Sequence, residues 1–157
     1  MRIGSLLAAV VLPVLLTTPA LALEVSKSAT VAAKPADLWA RIGDFCAIAE
    51  WHPAVAACEE TDESGSTVRT LTLEGGGTIR ERLIETTDFG YTYEILESPL
   101  PVRNYRSTLS VSDEGDGTRI DWKGSFVAHD ASEADARGVI EGIYQAGLDS
   151  ISKGGGS

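Results

Sequence analysis

One long helical pattern, from Asp130 to Ser152 near the C-terminus, limits the folds open to this sequence. Apolar side chains recur there at a spacing of three or four residues and so define one face: Ala136, Ile140, Ile143, Gly147 and Ile151. The opposite face is polar: Arg137, Glu141, Gln145 and Asp149. This period predicts an amphipathic helix of about 30 Å, long enough to cross a small sheet.

Gly147 lies in the middle of the apolar face, where a packed helix normally carries a large side chain. A glycine inside a helix costs about 1 kcal/mol relative to alanine, so a packing reason is expected. Two interpretations stay open. The backbone of the sheet approaches the helix at Gly147, or a hollow lies between helix and sheet.

The N-terminus has the pattern of a targeting segment. An apolar run covers residues 3–16, and Ala20-Leu21-Ala22 offers small residues for cleavage. Residues 1–22 are therefore predicted to be a signal peptide, since the run is shorter than a typical span of about 20 residues. An uncleaved anchor is the alternative. Residues 23–153 are predicted to form one domain and residues 154–157 a flexible tail.

The chain is acidic, with a formal net charge of −10 and no cluster of lysines or arginines. This charge disfavours binding to nucleic acid or anionic lipid. It suits a basic protein partner, or simply solubility. The expected localisation is periplasmic or secreted, with no membrane span in the mature chain.

The remaining pattern predicts two short helices, 35–42 and 44–50, and strands at 23–31, 55–60, 67–73, 78–86, 91–97, 102–111 and 118–128. Six strands are consecutive and joined by short turns, so they should pair mostly antiparallel. Alternation in the last strand turns one set inward: Ile120, Trp122, Gly124 and Phe126. The predicted fold is α+β: a curved seven-stranded antiparallel sheet wrapped around the long C-terminal helix, with two short helices after the first strand.

Four local motifs carry a family resemblance: Asp44-Phe45 with Trp51-His52-Pro53; Arg69 with Gly77 to Leu83; Tyr91-Thr92-Tyr93 with Ser98 to Pro101; and Gly117 to Trp122. With the order of elements, they resemble the START-like, birch-pollen-allergen-like superfamily (SRPBCC), whose fold is the helix-grip. The closest likeness is to its polyketide cyclase/dehydrase and lipid-transport branch.

The resemblance implies a hydrophobic cavity between the sheet and the long helix. Its expected ligand-binding residues are Tyr93, Tyr105, Trp122, Phe126, Ile143 and Gly147. It also implies two gate loops at the mouth, formed by Gly75, Gly76 and Gly77 and by Pro99, Leu100 and Pro101. An ordinary hairpin turn is the alternative interpretation of the glycine run.

Arg69 and Glu81 stand out because strand parity turns both toward the apolar face of a hairpin. Three interpretations stay open for this pair. It is a mutually satisfied core pair, or a polar anchor that orients a ligand's carbonyl or hydroxyl, or it supplies Glu81 as the base of a cyclase-like reaction.

The remaining chemistry is sparse. His52 ends a short helix, where it is either a helix-end residue or a polar contact at the cavity mouth. Cys46 and Cys58 suggest a disulfide in an exported protein, with two buried thiols as the alternative. No spacing typical of a metal site is present, so neither a metal nor a cofactor is expected, and no catalytic residue is assigned.

The leading hypothesis is an exported, non-catalytic binder or carrier of a small hydrophobic molecule. A polyketide cyclase/dehydrase-like enzyme is the first alternative. An acidic periplasmic accessory protein that acts through contacts with a basic protein is the second.

Overall fold

The computed structural model describes residues 21–154, so most of the expected signal peptide and residues 155–157 of the expected tail lie outside it. The elements follow the predicted order: β1 (Leu23–Val31), α1 (Pro35–Ile42), α2 (Ile48–Trp51), β2 (Val55–Glu63), β3 (Ser66–Leu73), β4 (Thr78–Thr87), β5 (Gly90–Glu97), β6 (Val102–Glu114), β7 (Gly117–Ala128) and α3 (Glu133–Ser152). The second short helix is the main difference in bounds. It begins at Ile48 rather than at residue 44, because turns occupy the residues between α1 and α2.

All seven strands join one antiparallel sheet, in the order β1-β7-β6-β5-β4-β3-β2. Irregular register interrupts β2, β4 and β6, and Asn104 in β6 has a left-handed φ of 52°. Bulges of this kind bend a strand and increase its twist. The sheet therefore curves around α3, which confirms the predicted α+β helix-grip fold.

The core lies between the concave face of the sheet and the three helices. Ile120, Trp122 and Phe126 of β7 are buried, as the alternation predicted. Helix α3 is capped at its N-terminus by Ser132, whose hydroxyl accepts the backbone N–H of Asp135 at 3.1 Å. Residues 21–154 contain no helix that is both long and apolar enough to cross a membrane.

The turn between α1 and β2 is fixed by a disulfide between Cys46 and Cys58, as the cysteine count suggested. Its Cα atoms lie 5.5 Å apart, within the usual range for a bridge. The bridge ties the start of the α2 region to β2. It thereby closes a loop that contains the whole of α2.

Gly147 packs against aromatic side chains rather than against sheet backbone or a hollow. A Cβ placed there would lie 2.8 Å from both His52 and Trp122, and 3.0 Å from Trp51. The expectation that Gly147 binds ligand is not met by its position, since these three rings occupy the space. Gly138 and Gly142, in contrast, face open space.

Replacing Gly147 by Leu is expected to lower the free energy of unfolding by about 1–3 kcal/mol, because the added side chain overpacks three rings. Chemical denaturation measures this change. Gly142→Leu, five residues earlier on the open side of α3, is the matched control and should leave stability unchanged or raise it by up to about 1 kcal/mol, because leucine is the better helix former and meets no neighbour there. Equal effects of the two substitutions would mean that the rings do not press on Gly147.

Candidate functional site: an apolar cavity under the long helix

A cavity of about 290 Å³ lies between α3 and the concave face of the sheet. Strands β2 to β5 contribute apolar side chains to its wall: Val55, Leu71, Leu73, Ile79 and Ile95. Helices and loops contribute the rest of the apolar wall: Ile48, Ala54, Leu100, Val139, Ile140 and Ile143. Grooves elsewhere on the described surface are more open and lie among charged and hydroxyl side chains, which makes this cavity the best candidate for an apolar ligand.

Val139 of α3 and Leu100 of the connection between β5 and β6 both line the cavity. Val139 is 38% exposed although it lines the cavity, so the cavity reaches the surface of α3 at this apolar residue. Leu100 belongs to the connection between β5 and β6, the second expected gate loop. Pro99 and Pro101 flank it, but neither is part of the cavity wall.

The three glycines of the first expected gate form a closed hairpin turn. Gly77 accepts the N–H of Leu73 at 3.0 Å, and Gly76 donates its N–H to the Leu73 carbonyl at 3.0 Å. Gly76 and Gly77 have φ values of 85° and 90°, which side chains rarely adopt. A Cβ on Gly77 would lie 3.9 Å from Pro99, so the two loops are neighbours. Gly75, Gly76 and Gly77 do not themselves line the cavity.

Arg69 and Glu81 face each other across β3 and β4, as strand parity predicted. The Nε of Arg69 donates to Oε2 of Glu81 at 2.6 Å, and both side chains are buried, with exposures of 0% and 6%. The guanidinium also donates to the carbonyl of Phe45 and lies 3.9 Å from the centre of its ring. Glu81 lines the cavity, whereas Arg69 lies behind the cavity wall.

Burial changes the protonation behaviour of the Glu81 carboxyl. Burial raises the pKa of Glu81 above its ordinary value, and the charge of Arg69 offsets part of this rise. Burial opposes the charge of Arg69 too, but the facing carboxylate and the nearby Tyr91 and Tyr93 outweigh it and raise the pKa of the guanidinium. The carboxylate of Glu81 therefore lies in a mostly apolar wall and is bound by Arg69 on the side away from the cavity.

His52 lines the cavity and connects α2 to α3. Its Nδ1 accepts the backbone N–H of Ala54 at 3.2 Å, so the proton lies on Nε2, which donates to the carbonyl of Ile143 at 3.0 Å. Burial lowers the pKa of His52; the Ile143 contact works against this shift and the charge of Arg69 adds to it. Both ring nitrogens make hydrogen bonds, so the neutral imidazole links the segment after α2 to helix α3 across the cavity wall.

The depressed pKa makes His52 a source of acid sensitivity. The unfolded chain takes up a proton near pH 6.5, before the folded protein does, so the His52 contribution to stability falls as the pH drops below about 6.5. The test measures the free energy of unfolding of wild type and of His52→Gln between pH 8 and pH 5. The raised pKa of Glu81 makes both proteins more stable as the pH falls, and this effect cancels in the difference between them. The wild-type advantage should shrink on acidification. His129→Gln is the control, and a constant wild-type advantage would contradict the prediction.

A chain of buried hydroxyls runs from the cavity wall into α3, and sequence reasoning missed it. Tyr93 and Tyr105 line the cavity, and their oxygens are 3.4 Å apart. Tyr105 contacts the hydroxyl of Tyr144 at 2.6 Å, and Tyr144 contacts Ser107 at 2.8 Å. Gly124 was the available signal: a glycine at an inward position of a strand marks a close approach, and a Cβ there would collide with the Tyr144 hydroxyl.

The structure therefore brings six of the nine expected ligand-binding residues to one cavity: His52, Glu81, Tyr93, Tyr105, Trp122 and Ile143. Phe126 is buried in the core beside Tyr105, with their ring centres 6.2 Å apart, and does not line the cavity. Arg69 and Gly147 also lie outside its wall. Within residues 21–154, no group of three or more histidine, cysteine or acidic side chains could hold a metal ion.

A curved antiparallel sheet that wraps around one long helix, with an apolar cavity between them, defines the helix-grip class of proteins. The sequence profile described as polyketide cyclase/dehydrase and lipid transport matches residues 22–153. The chain therefore belongs to this family, which confirms the resemblance inferred from its motifs. A search of curated protein sequences gave no significant match.

Solved structures agree with this assignment. XoxI from Bacillus cereus is 32% identical over 84% of this chain and 94% of its own, with a TM-score of 0.79. A putative uncharacterized protein from Bacillus thuringiensis is 31% identical over 84% and 98%, with a TM-score of 0.78. The Zhui aromatase/cyclase from Streptomyces sp. R1128 is 20% identical over 84% and 92%, with a TM-score of 0.66, and shares the fold.

Proposed function

We propose that this protein is an exported binder or carrier of a small apolar molecule held under α3. The observation that carries the proposal is the cavity of about 290 Å³, whose wall is formed almost entirely by aliphatic and aromatic side chains. An apolar cavity of about 150 Å³ stays dry and binds benzene, so this one has room for a larger ring system or a short acyl chain.

The polar groups at the cavity favour binding over nucleophile–base catalysis. Both nitrogens of His52 are engaged by backbone groups, so this imidazole has no free nitrogen for a substrate proton. The Oε2 atom of Glu81 accepts a hydrogen bond from Arg69. Export is supported by the pattern of residues 1–22 and is compatible with the disulfide.

The position of Glu81 and one structural neighbour favour the cyclase alternative. Glu81 reaches the cavity wall, and burial raises its pKa, as is common for catalytic acids and bases. The Zhui aromatase/cyclase shares the fold. If Glu81 were such a base, Glu81→Gln would abolish turnover of a polyketone while apolar probes still bound.

The basic protein partner expected from the net charge stays a prediction.

Native mass spectrometry of the protein purified from its own periplasm tests the binder proposal. We expect an adduct that is released on denaturation and then identified by gas chromatography. Ile143→Trp fills the cavity and should lose the adduct. Gly142→Trp adds the same side chain on the open face of α3 and should keep it. Absence of an adduct, together with failure to bind apolar probes such as 2-ethylnaphthalene, would overturn the proposal.

A further inference from the structure

The buried hydroxyl chain has two ends whose roles are chemically fixed. At one end the indole Nε1 of Trp122, which can only donate, lies 3.1 Å from the Tyr93 oxygen. At the other end Ser107 lies 2.8 Å from the carbonyl of Lys123, which can only accept. Between these ends each hydroxyl has one proton to give. The two ends therefore determine which way the protons point.

The direction follows link by link from the Lys123 end. Ser107 gives its proton to Lys123, so it must accept from Tyr144 at 2.8 Å. Tyr144 has then used its proton and must accept from Tyr105 at 2.6 Å. Tyr105 is thus a committed donor to α3, and its proton does not face the cavity.

Tyr93 is the exception in this chain. It accepts from Trp122, so its proton is directed elsewhere, and its internal partner Tyr105 is 3.4 Å away. A normal O–H···O bond measures about 2.5–3.0 Å, which makes this the weakest link of the chain. Burial raises the pKa of both Tyr93 and Tyr105 well above the ordinary value, so both phenols keep their protons at neutral pH.

We infer that Tyr93 is the hydrogen-bond donor of the cavity and that the ligand is an apolar molecule carrying a hydrogen-bond acceptor, such as a ketone or ester oxygen. The inference rests on the proposed function, because it names the polarity of the molecule bound in the same cavity. A ligand acceptor would receive a hydrogen bond from the Tyr93 hydroxyl, whose only acceptor among the described residues is 3.4 Å away. Binding therefore breaks no strong hydrogen bond within the protein. An acceptor beside Tyr105 would have to break the 2.6 Å contact to Tyr144 instead.

Two matched probes test the inference: 2-acetylnaphthalene, which has a carbonyl acceptor, and 2-ethylnaphthalene, which has none. Tryptophan fluorescence titration gives the dissociation constant of each, and their ratio measures acceptor preference. We expect the ratio to fall roughly fivefold in Tyr93→Phe, as for the loss of one neutral hydrogen bond. In Tyr105→Phe the ratio should be kept or increased, because Tyr93 then has no internal competitor for its proton.

Infrared spectroscopy of the bound probe reports the hydrogen bond itself, and a change in protein stability does not shift the carbonyl band. With a ¹³C-labelled carbonyl, the band should lie at lower wavenumber in wild type and Tyr105→Phe than in alkane solvent, and should return to the alkane position in Tyr93→Phe. An alkane-like band in wild type would overturn the inference even if a variant failed to fold. An unchanged ratio in Tyr93→Phe would also overturn it. If neither probe binds and the purified protein carries no adduct, the cavity proposal fails and the inference with it. If the probes bind while the carbonyl band stays alkane-like, only the role of Tyr93 fails.

Discussion

Replacing Arg69 by Met should lower the free energy of unfolding by about 3–5 kcal/mol, and Glu81→Met should have a similar effect. Each substitution leaves the partner's charge buried, with its desolvation cost and without its counter-ion. For Arg69 the loss also removes the donor to the Phe45 carbonyl and the cation that lies 3.9 Å from the Phe45 ring. Chemical denaturation at neutral pH measures both changes.

The double substitution separates the cost of an unpaired buried charge from the cost of lost side-chain packing. Arg69→Met combined with Glu81→Met removes both charges, so the total loss should be much smaller than the sum of the two single losses. Arg82 and Glu94 form the matched control, since they pair at 2.9 Å on the outer face of the same sheet with exposures of 40% and 35%. Their single Met substitutions should cost only about 0–1 kcal/mol. Equally mild effects for Arg69→Met would show that the inner pair contributes no more than a surface one.

The sequence was sufficient for the inward direction of Arg69 and Glu81 because side chains alternate strictly along a strand. A tight turn joins their two strands and places the two residues directly opposite each other. The same local rule turned Trp122 and Phe126 inward. Strand parity, however, predicts only the face of the sheet on which a side chain lies, and not whether that side chain reaches the cavity. It therefore could not separate Glu81 and Trp122, which line the cavity, from Arg69 and Phe126, which are buried behind its wall.

The hydroxyl chain was beyond sequence reasoning for a related reason. It needs Ser107 of β6 and Tyr144 of α3 within 2.8 Å, a distance set by how closely the helix approaches the sheet. Gly124 permits that approach, and the irregular register at Asn104 shapes the strand that carries Ser107. Gly147 shows the same limit: its unusual position was visible in sequence, but the three rings that fill the space come from distant segments.

The disulfide should have the other large effect, because the loop it closes carries much of the cavity wall. Ile48, His52, Ala54 and Val55 all lie between Cys46 and Cys58 and all line the cavity. Replacing both cysteines by Ser should lower the free energy of unfolding by about 3 kcal/mol through the lost constraint on the unfolded chain. Binding of 2-ethylnaphthalene should weaken as well, since the loop then samples conformations in which the wall is open.

Reduction of the wild-type protein provides the matched comparison. Dithiothreitol should reproduce the stability loss in wild type and leave Cys46→Ser/Cys58→Ser unchanged, which separates the bridge from the substituted side chains. Alkylation of the exported protein under non-reducing conditions should label neither cysteine in intact-mass measurements. Two labelled cysteines, or equal unfolding midpoints for the oxidised and reduced protein, would contradict the prediction. Loss of stability without loss of probe binding would mean that α3 and the sheet hold the cavity wall without help from the bridge.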